Sequence, residues 1–130
     1  MTRIDDELAR LRNRYANLRH EPNGQWVLID DYPLPEGWSR PRTPLAFQIP
    51  VGYPGTPPYG FYVPSGLLFK DQPPKNYTDS APSQPPFGGT WGIFSWSPGD
   101  GAWQPTADID TGPNLLNWVL GFSERLREGV

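Results

Sequence analysis

The chain has 130 residues, enough for one domain with a single buried core, and it contains no cysteine, which excludes disulfides, thiolate metal sites and a cysteine nucleophile. A formal net charge of -3 leaves no basic footprint for nucleic acid, and no run of 18 apolar residues marks a membrane span. The charged opening MTRIDDELAR lacks the apolar segment of a signal peptide, so a soluble, cytoplasmic protein is expected.

Ile4, Leu8, Leu11, Tyr15 and Leu18 recur at steps of four and three and predict an amphipathic helix from about Arg3 to Arg19, with Arg10, Arg12, Arg14 and Asn17 turned away. Thr2 and Asp5 have capping-box spacing, and Asp5, Asp6 and Glu7 in the first turn suit the dipole of that helix. Pro22 and Asn23-Gly24 are expected to stop it, which leaves His20, the only histidine, as a solvated residue at its end. QWVLID, PLAFQI and GFYV then predict three consecutive antiparallel strands, joined by YPLPEG and PVGYPGTPP, with Leu45, Phe47 and Ile49 facing inward. Residues 41–100 hold 13 of the 18 prolines and only six charged side chains, so the middle of the chain reads as strands and proline-shaped connections. Gln72 to Gly89 reads as one long loop. Pro113 suits a first helical position, and Leu115, Leu116, Val119, Phe122 and Leu126 predict a second helix reaching Arg127. Six Trp, six Tyr and six Phe supply more buriable surface than a disordered chain carries, so the proline content does not signal disorder.

The order of these elements resembles the ubiquitin-conjugating (UBC) superfamily. Within FQIPVGYPGTPPYGFYV, Tyr53-Pro54 and Pro57-Pro58 stand where that family has a Tyr-Pro and a Pro-Pro between two strands, and Trp103-Gln104-Pro105 matches its Trp-x-Pro before a helix. WVLIDDYPLPEGW, IPVGYP, FYVP and WSPGDGAWQP are similar to the prokaryotic branch termed family E, found beside bacterial ubiquitin-like proteins and activating enzymes. The resemblance covers roughly Trp26 to Leu126. It implies an α+β, UBC-like fold: an N-terminal helix, an antiparallel meander of three to four strands, a long Pro/Gly-rich loop and a C-terminal helix. It also implies a ubiquitin-like protein and an adenylating activating enzyme as partners.

The chain departs from the family's pattern at the reacting residue. A conjugating enzyme receives its modifier on a cysteine about eight residues before the tryptophan, with a His-Pro-Asn upstream whose asparagine assists the oxyanion; a thiol suits this because it is nucleophilic even when only partly ionised. Counting back eight residues from Trp103 gives Ser95, and PSGLLFKDQPPKNYTD holds no His-Pro-Asn. The branch's Ser-Arg-His is represented by Ser97-Pro98-Gly99, so the serine is kept and the histidine is not. Two readings stay open. In one, Ser95 or Ser97 carries the modifier as an oxyester, with Asp100 as proton acceptor or orienting group. In the other, both hydroxyls cap turns in FSWSPGD, because a hydroxyl needs an activating base and the one histidine lies far off in sequence.

Asn76 in PKNYTD is a candidate oxyanion donor or an ordinary turn asparagine. Trp91 and Trp96, in Gly- and Ser-rich sequence, are candidate surface residues for a partner's extended tail, together with Tyr53; Trp103 and Trp118 read as core. No metal or nucleotide cofactor is implied by one histidine, no cysteine and no phosphate-binding loop. Three functions follow: a conjugating-enzyme-like component, a non-catalytic adaptor for the modifier or its activating enzyme, and a free-standing module for proline-rich peptides.

Overall fold

A computed structural model describes residues 3–22, 24–53, 58, 60–74, 77–79, 85–94 and 114–127. The chain runs α1 (Arg3–Arg14), β1 (Leu18–Glu21), β2 (Trp26–Pro33), β3 (Arg42–Gln48), β4 (Phe61–Pro64), β5 (Tyr77–Thr78), β6 (Trp91–Phe94) and α2 (Leu115–Arg127). The strands form one six-stranded antiparallel sheet in the order β1-β2-β3-β4-β6-β5. This is the expected α+β arrangement, a sheet preceded and followed in the chain by a helix, with more strands than the meander of three to four that the resemblance implies.

Two expectations change at the N-terminal end. Helix α1 stops at Arg14, not near Arg19, and Leu18 opens β1 opposite Ile29. The apolar step from Tyr15 to Leu18 fits a helical stripe, but one turn followed by a strand buries Leu18 equally well, and cross-strand pairing with β2 decides between them. Pro22 and Gly24 therefore belong to the β1–β2 hairpin, where the Gln25 N–H donates to Pro22 O at 3.2 Å and Gly24 takes φ 79°. At the far end, Asn114 caps α2 by accepting the Asn117 N–H on Oδ1 at 2.8 Å. Pro113, expected as the first helical residue, lies outside the described residues.

The helices cover one face of the sheet. Val27 pairs with Phe47 and Ile29 with Leu45, and this row packs with Leu8 and Leu11 of α1 and with Leu115, Val119 and Phe122 of α2. The Phe61 ring stacks between Phe94 at 4.8 Å and Phe122 at 4.3 Å. Two polar tips tie α2 to the sheet side: the Tyr32 hydroxyl donates to Val119 O at 2.9 Å, and the Trp38 indole N–H to Leu126 O at 2.8 Å. Alternation puts a second apolar row, Leu28, Ala46, Tyr62 and Ile93, on the opposite face, flanked by Trp26 and Trp91.

The described residues of GYPGTPP, Gly52, Tyr53 and Pro58, belong to the link from β3 to β4, with the Tyr53 and Pro58 side chains buried, while residues 54–57 lie outside the described residues. Past β4, Phe69 and Gln72 exchange both backbone hydrogen bonds around Lys70 and Asp71, whose φ values of 51° and 63° make a type I′ turn. Two side-chain-bearing residues in left-handed conformation are unfavourable there. Asp71→Gly is expected to raise stability by about 0.5–1 kcal/mol, read from the urea midpoint; a lowered midpoint means that the Asp71 side chain holds the turn.

Candidate functional site

Ser95, Trp96, Ser97, Asp100 and Trp103, as well as Asn76, lie outside the described residues. The scaffold that leads to them is described. Strand β6 ends at Phe94 and is held on both sides, by β4 through Phe61 opposite Phe94 and by β5 through Tyr77 opposite Phe94. The Phe94 side chain is fully buried, stacked on Phe61 and 6.0 Å from Trp38. A strand anchored by a buried aromatic at its last residue is a fixed point from which the following residues depart.

His20 sits at the other edge of this sheet. It belongs to β1, and its Nε2 is 2.8 Å from Gln25 Oε1. Four strand spacings separate β1 from β6, about 19 Å. The solvated helix end expected for His20 is replaced by a half-buried place in a strand, because α1 ends before it.

A second cluster was not anticipated. Glu7 is 1 % exposed, and its carboxylate joins three parts of the chain. Oε1 accepts the Tyr53 hydroxyl at 2.6 Å and the Leu115 N–H at 2.6 Å, while Oε2 accepts Arg3 Nε at 2.9 Å. Glu7, one residue past the first turn of α1, therefore serves the N-terminus of α2, a helix more than 100 residues away. A clue lay in the sequence: Leu8 and Leu11 make Glu7 a neighbour of the apolar stripe. What it touches depends on tertiary contacts that no local pattern carries.

Tyr53, a candidate for partner binding from the sequence, turns its side chain inward. It is 8 % exposed because its phenol reaches inward to Glu7. Burial pushes its pKa up, and the hydrogen bond to the Glu7 carboxylate adds to this. The folded state thus keeps the proton where an unfolded tyrosine, with a pKa of about 10, loses it. The contribution of this tyrosine to stability is fully present well below pH 10 and is lost as the pH rises above it. Tyr53→Phe is expected to flatten that alkaline fall by about 1 kcal/mol between pH 10 and 11 in urea unfolding, approaching the one-proton limit of about 1.4 kcal/mol per pH unit only above that window. An unchanged slope means that Tyr53 ionises freely in the fold.

The exposure expected for Trp91 is corrected as well. It is 4 % exposed, and its indole N–H donates to Gly88 O at 2.7 Å. Gly88 and Gly89, at φ 82° and 77°, let residues 85–90 turn back beside the indole, so the glycines that read as surface loop help to bury it. One edge of Trp91 still lines a recess of about 300 Å³ on the outer face, with Leu28, Pro44, Pro64 and Phe87. Arg19 completes it, paired with Asp30 at 3.2 Å and 5.8 Å from the Phe87 ring centroid. Trp118 is core, as expected, at 2 % exposure.

Residues 5–121 match the family described as prokaryotic E2 family E. The chain belongs to that family. No curated protein and no solved structure matches it. Membership makes this an E2-like component of a prokaryotic ubiquitin-like conjugation system, with a ubiquitin-like protein and an activating enzyme as the partners that family E implies. The α+β sheet and flanking helices suit that assignment, and the absence of cysteine from the whole sequence sets this member apart from thioester-forming E2 enzymes. Among the described residues no three His, Cys, Asp or Glu side chains converge where a metal ion can sit, and no helix is long and apolar enough to cross a membrane.

Proposed function

We propose that this protein receives the activated C-terminus of the ubiquitin-like modifier as an oxyester on a serine that follows β6. The observation that supports the reading is the pairing of Tyr77 with Phe94. Asn76 and Ser95, outside the described residues, are the sequence neighbours of Tyr77 and Phe94, each one Cα step of about 3.8 Å from a member of a pair about 5 Å apart. Chain connectivity alone therefore keeps their Cα atoms within about 13 Å of each other, within range for a nucleophile and an oxyanion donor to serve one carbonyl. In the transfer, the serine Oγ forms a bond to the modifier's terminal carbonyl carbon, and the bond from that carbon to the activating enzyme's leaving group, a thiolate or an adenylate phosphate, breaks. The hydroxyl proton passes to the Asp100 carboxylate and from there to the departing group. Of the two candidates Ser97 is favoured by the family E motif and Ser95 by its spacing from Trp103, and Trp96 is the aromatic neighbour for the modifier's tail. Trp91 and Tyr53 contribute by shaping the recess and the β3–β4 link, since their own side chains are buried.

One observation favours a second reading. The only imidazole is about 19 Å from β6 across the sheet, so a serine there is without the base that usually activates a hydroxyl. On that reading the protein is a non-catalytic adaptor that binds the modifier or its activating enzyme. The two readings part in a reconstitution with modifier, activating enzyme and ATP. The acceptor reading expects an adduct that survives thiol reductant and is lost in either Ser95→Ala or Ser97→Ala while partner binding is kept. An adduct formed equally by both variants contradicts it, and stable binding with no adduct supports the adaptor.

A further inference from the structure

Among the described residues strand β5 spans only Tyr77 and Thr78, too few for backbone hydrogen bonds alone to hold it on a sheet edge. Its Tyr77 ring supplies what the ladder lacks. A Cβ placed on Gly92 would fall onto the Tyr77 hydroxyl and ring carbons, so the ring lies across β6 where that strand carries no side chain. Gly92 is not among the residues with positive φ, which means that its backbone does not call for glycine; room for the ring does. The ring also packs on Phe94 at 4.8 Å. Its hydroxyl donates to Asp79 Oδ1 at 2.9 Å, and the same oxygen accepts the Gly66 N–H at 2.8 Å. Ser65 Oγ donates to Asp79 O at 2.5 Å, which ties the end of β5 to the turn after β4.

We propose that Tyr77, seated on Gly92, is a positioning residue that clamps β5 in register on β6 and so sets the geometry of the end from which Asn76 and Ser95 depart. Its consequence for transfer rests on the oxyester reading above. The clamp itself does not. If Tyr77 only fills space, any apolar side chain can replace it; if it sets register, the ring must be retained and Gly92 must stay bare.

The absence of cysteine permits a clean test on the full chain. Thr78 and Ile93 are opposite each other, so Thr78→Cys with Ile93→Cys places two thiols at a separation that a disulfide can bridge. Under mild oxidation this pair is expected to close in the parent and, within about twofold of the same rate, with Tyr77→Phe added. Tyr77→Leu, which keeps apolar bulk but cannot span Gly92 or reach Asp79, is expected to slow closure at least tenfold, and Gly92→Ala to do the same. Closure at the parent rate in both variants overturns the clamp. A folded control comes from the near-ultraviolet circular dichroism of the remaining aromatic core. A variant that loses that signal is replaced by Tyr77→Met for the same comparison.

The second readout is adduct formation by the protein without introduced cysteines. At saturating partners Tyr77→Leu is expected to lower the rate at least tenfold while its affinity for the activating enzyme stays within twofold, and Tyr77→Phe to restore the rate to within threefold. Equal loss of affinity and rate overturns positioning in favour of a general structural role. Failure of the unsubstituted protein to form an adduct, with closure slowed as expected, removes the oxyester reading and leaves the clamp standing. Unslowed closure removes the clamp even where adduct forms.

Discussion

Replacing Glu7 with alanine is expected to lower the unfolding free energy by about 3–5 kcal/mol, the cost of removing one partner from a buried charged cluster. Tyr53 and Leu115 lose an ionised acceptor that each reaches at 2.6 Å, and Arg3 loses the carboxylate at 2.9 Å. Nothing in an alanine replaces them. Glu7→Gln keeps an acceptor oxygen for Tyr53 and for the Leu115 N–H but gives up the charge, so it is expected to cost only about 1–2 kcal/mol. Urea unfolding separates the two, since a shifted midpoint at constant slope reports stability alone. A loss below about 1 kcal/mol in the alanine variant means that water enters and takes over the carboxylate's role. Because Glu7 links α1, the start of the β3–β4 link and the first turn of α2, the alanine variant is also expected to increase amide exchange at Leu115 and Tyr53 before it affects β2 and β3.

Phe122→Ala is expected to cost a similar amount, about 3–5 kcal/mol, for a different reason. The Phe122 ring is fully buried where α2 meets the sheet, stacked on Phe61 at 4.3 Å and edge-on to Trp118 at 5.0 Å. Tyr32 and Phe47 approach it from the sheet at 6.2 and 6.3 Å. Truncation leaves a cavity among rigid rings that cannot collapse to fill it. Calorimetric and urea unfolding measure the loss, and a value near 1 kcal/mol shows that the rings rearrange.

Long, regularly patterned segments were legible in the sequence. The stripe ending at Leu126 marks α2 as far as Arg127, and the alternation of Leu45 and Phe47, continued by Ile49 just past the strand, gives β3 its inner face. Short segments were not. Strand β1 continues the helical spacing of α1 through Leu18, and β5 is two residues in a run that reads as loop, so both come into view only when paired with β2 and β6. The same limit applies to the site. Proline spacing pointed to the β3–β4 link, whereas the burial of Tyr53 depends on a carboxylate 46 residues before it. Trp91 shows the opposite failure: flanking glycines suggested exposure, yet their positive φ is what folds the chain back against the indole. Gly92 carried a signal that local reading passed over, since a glycine inside a strand marks close approach by another group, here the Tyr77 ring. Ser95, Ser97 and Asp100 were identified from spacing and resemblance, and they lie outside the described residues.

The central claim, that a serine after β6 accepts the modifier, is tested most directly by the intact mass of the protein after incubation with its ubiquitin-like modifier, activating enzyme and ATP. The account predicts a species heavier by the modifier's mass less one water, resistant to thiol reductant and returned to the original mass by hydroxylamine, as an oxyester on a chain without cysteine must be. An unchanged mass in the presence of partners shown to be active, or an adduct that hydroxylamine leaves intact, contradicts it.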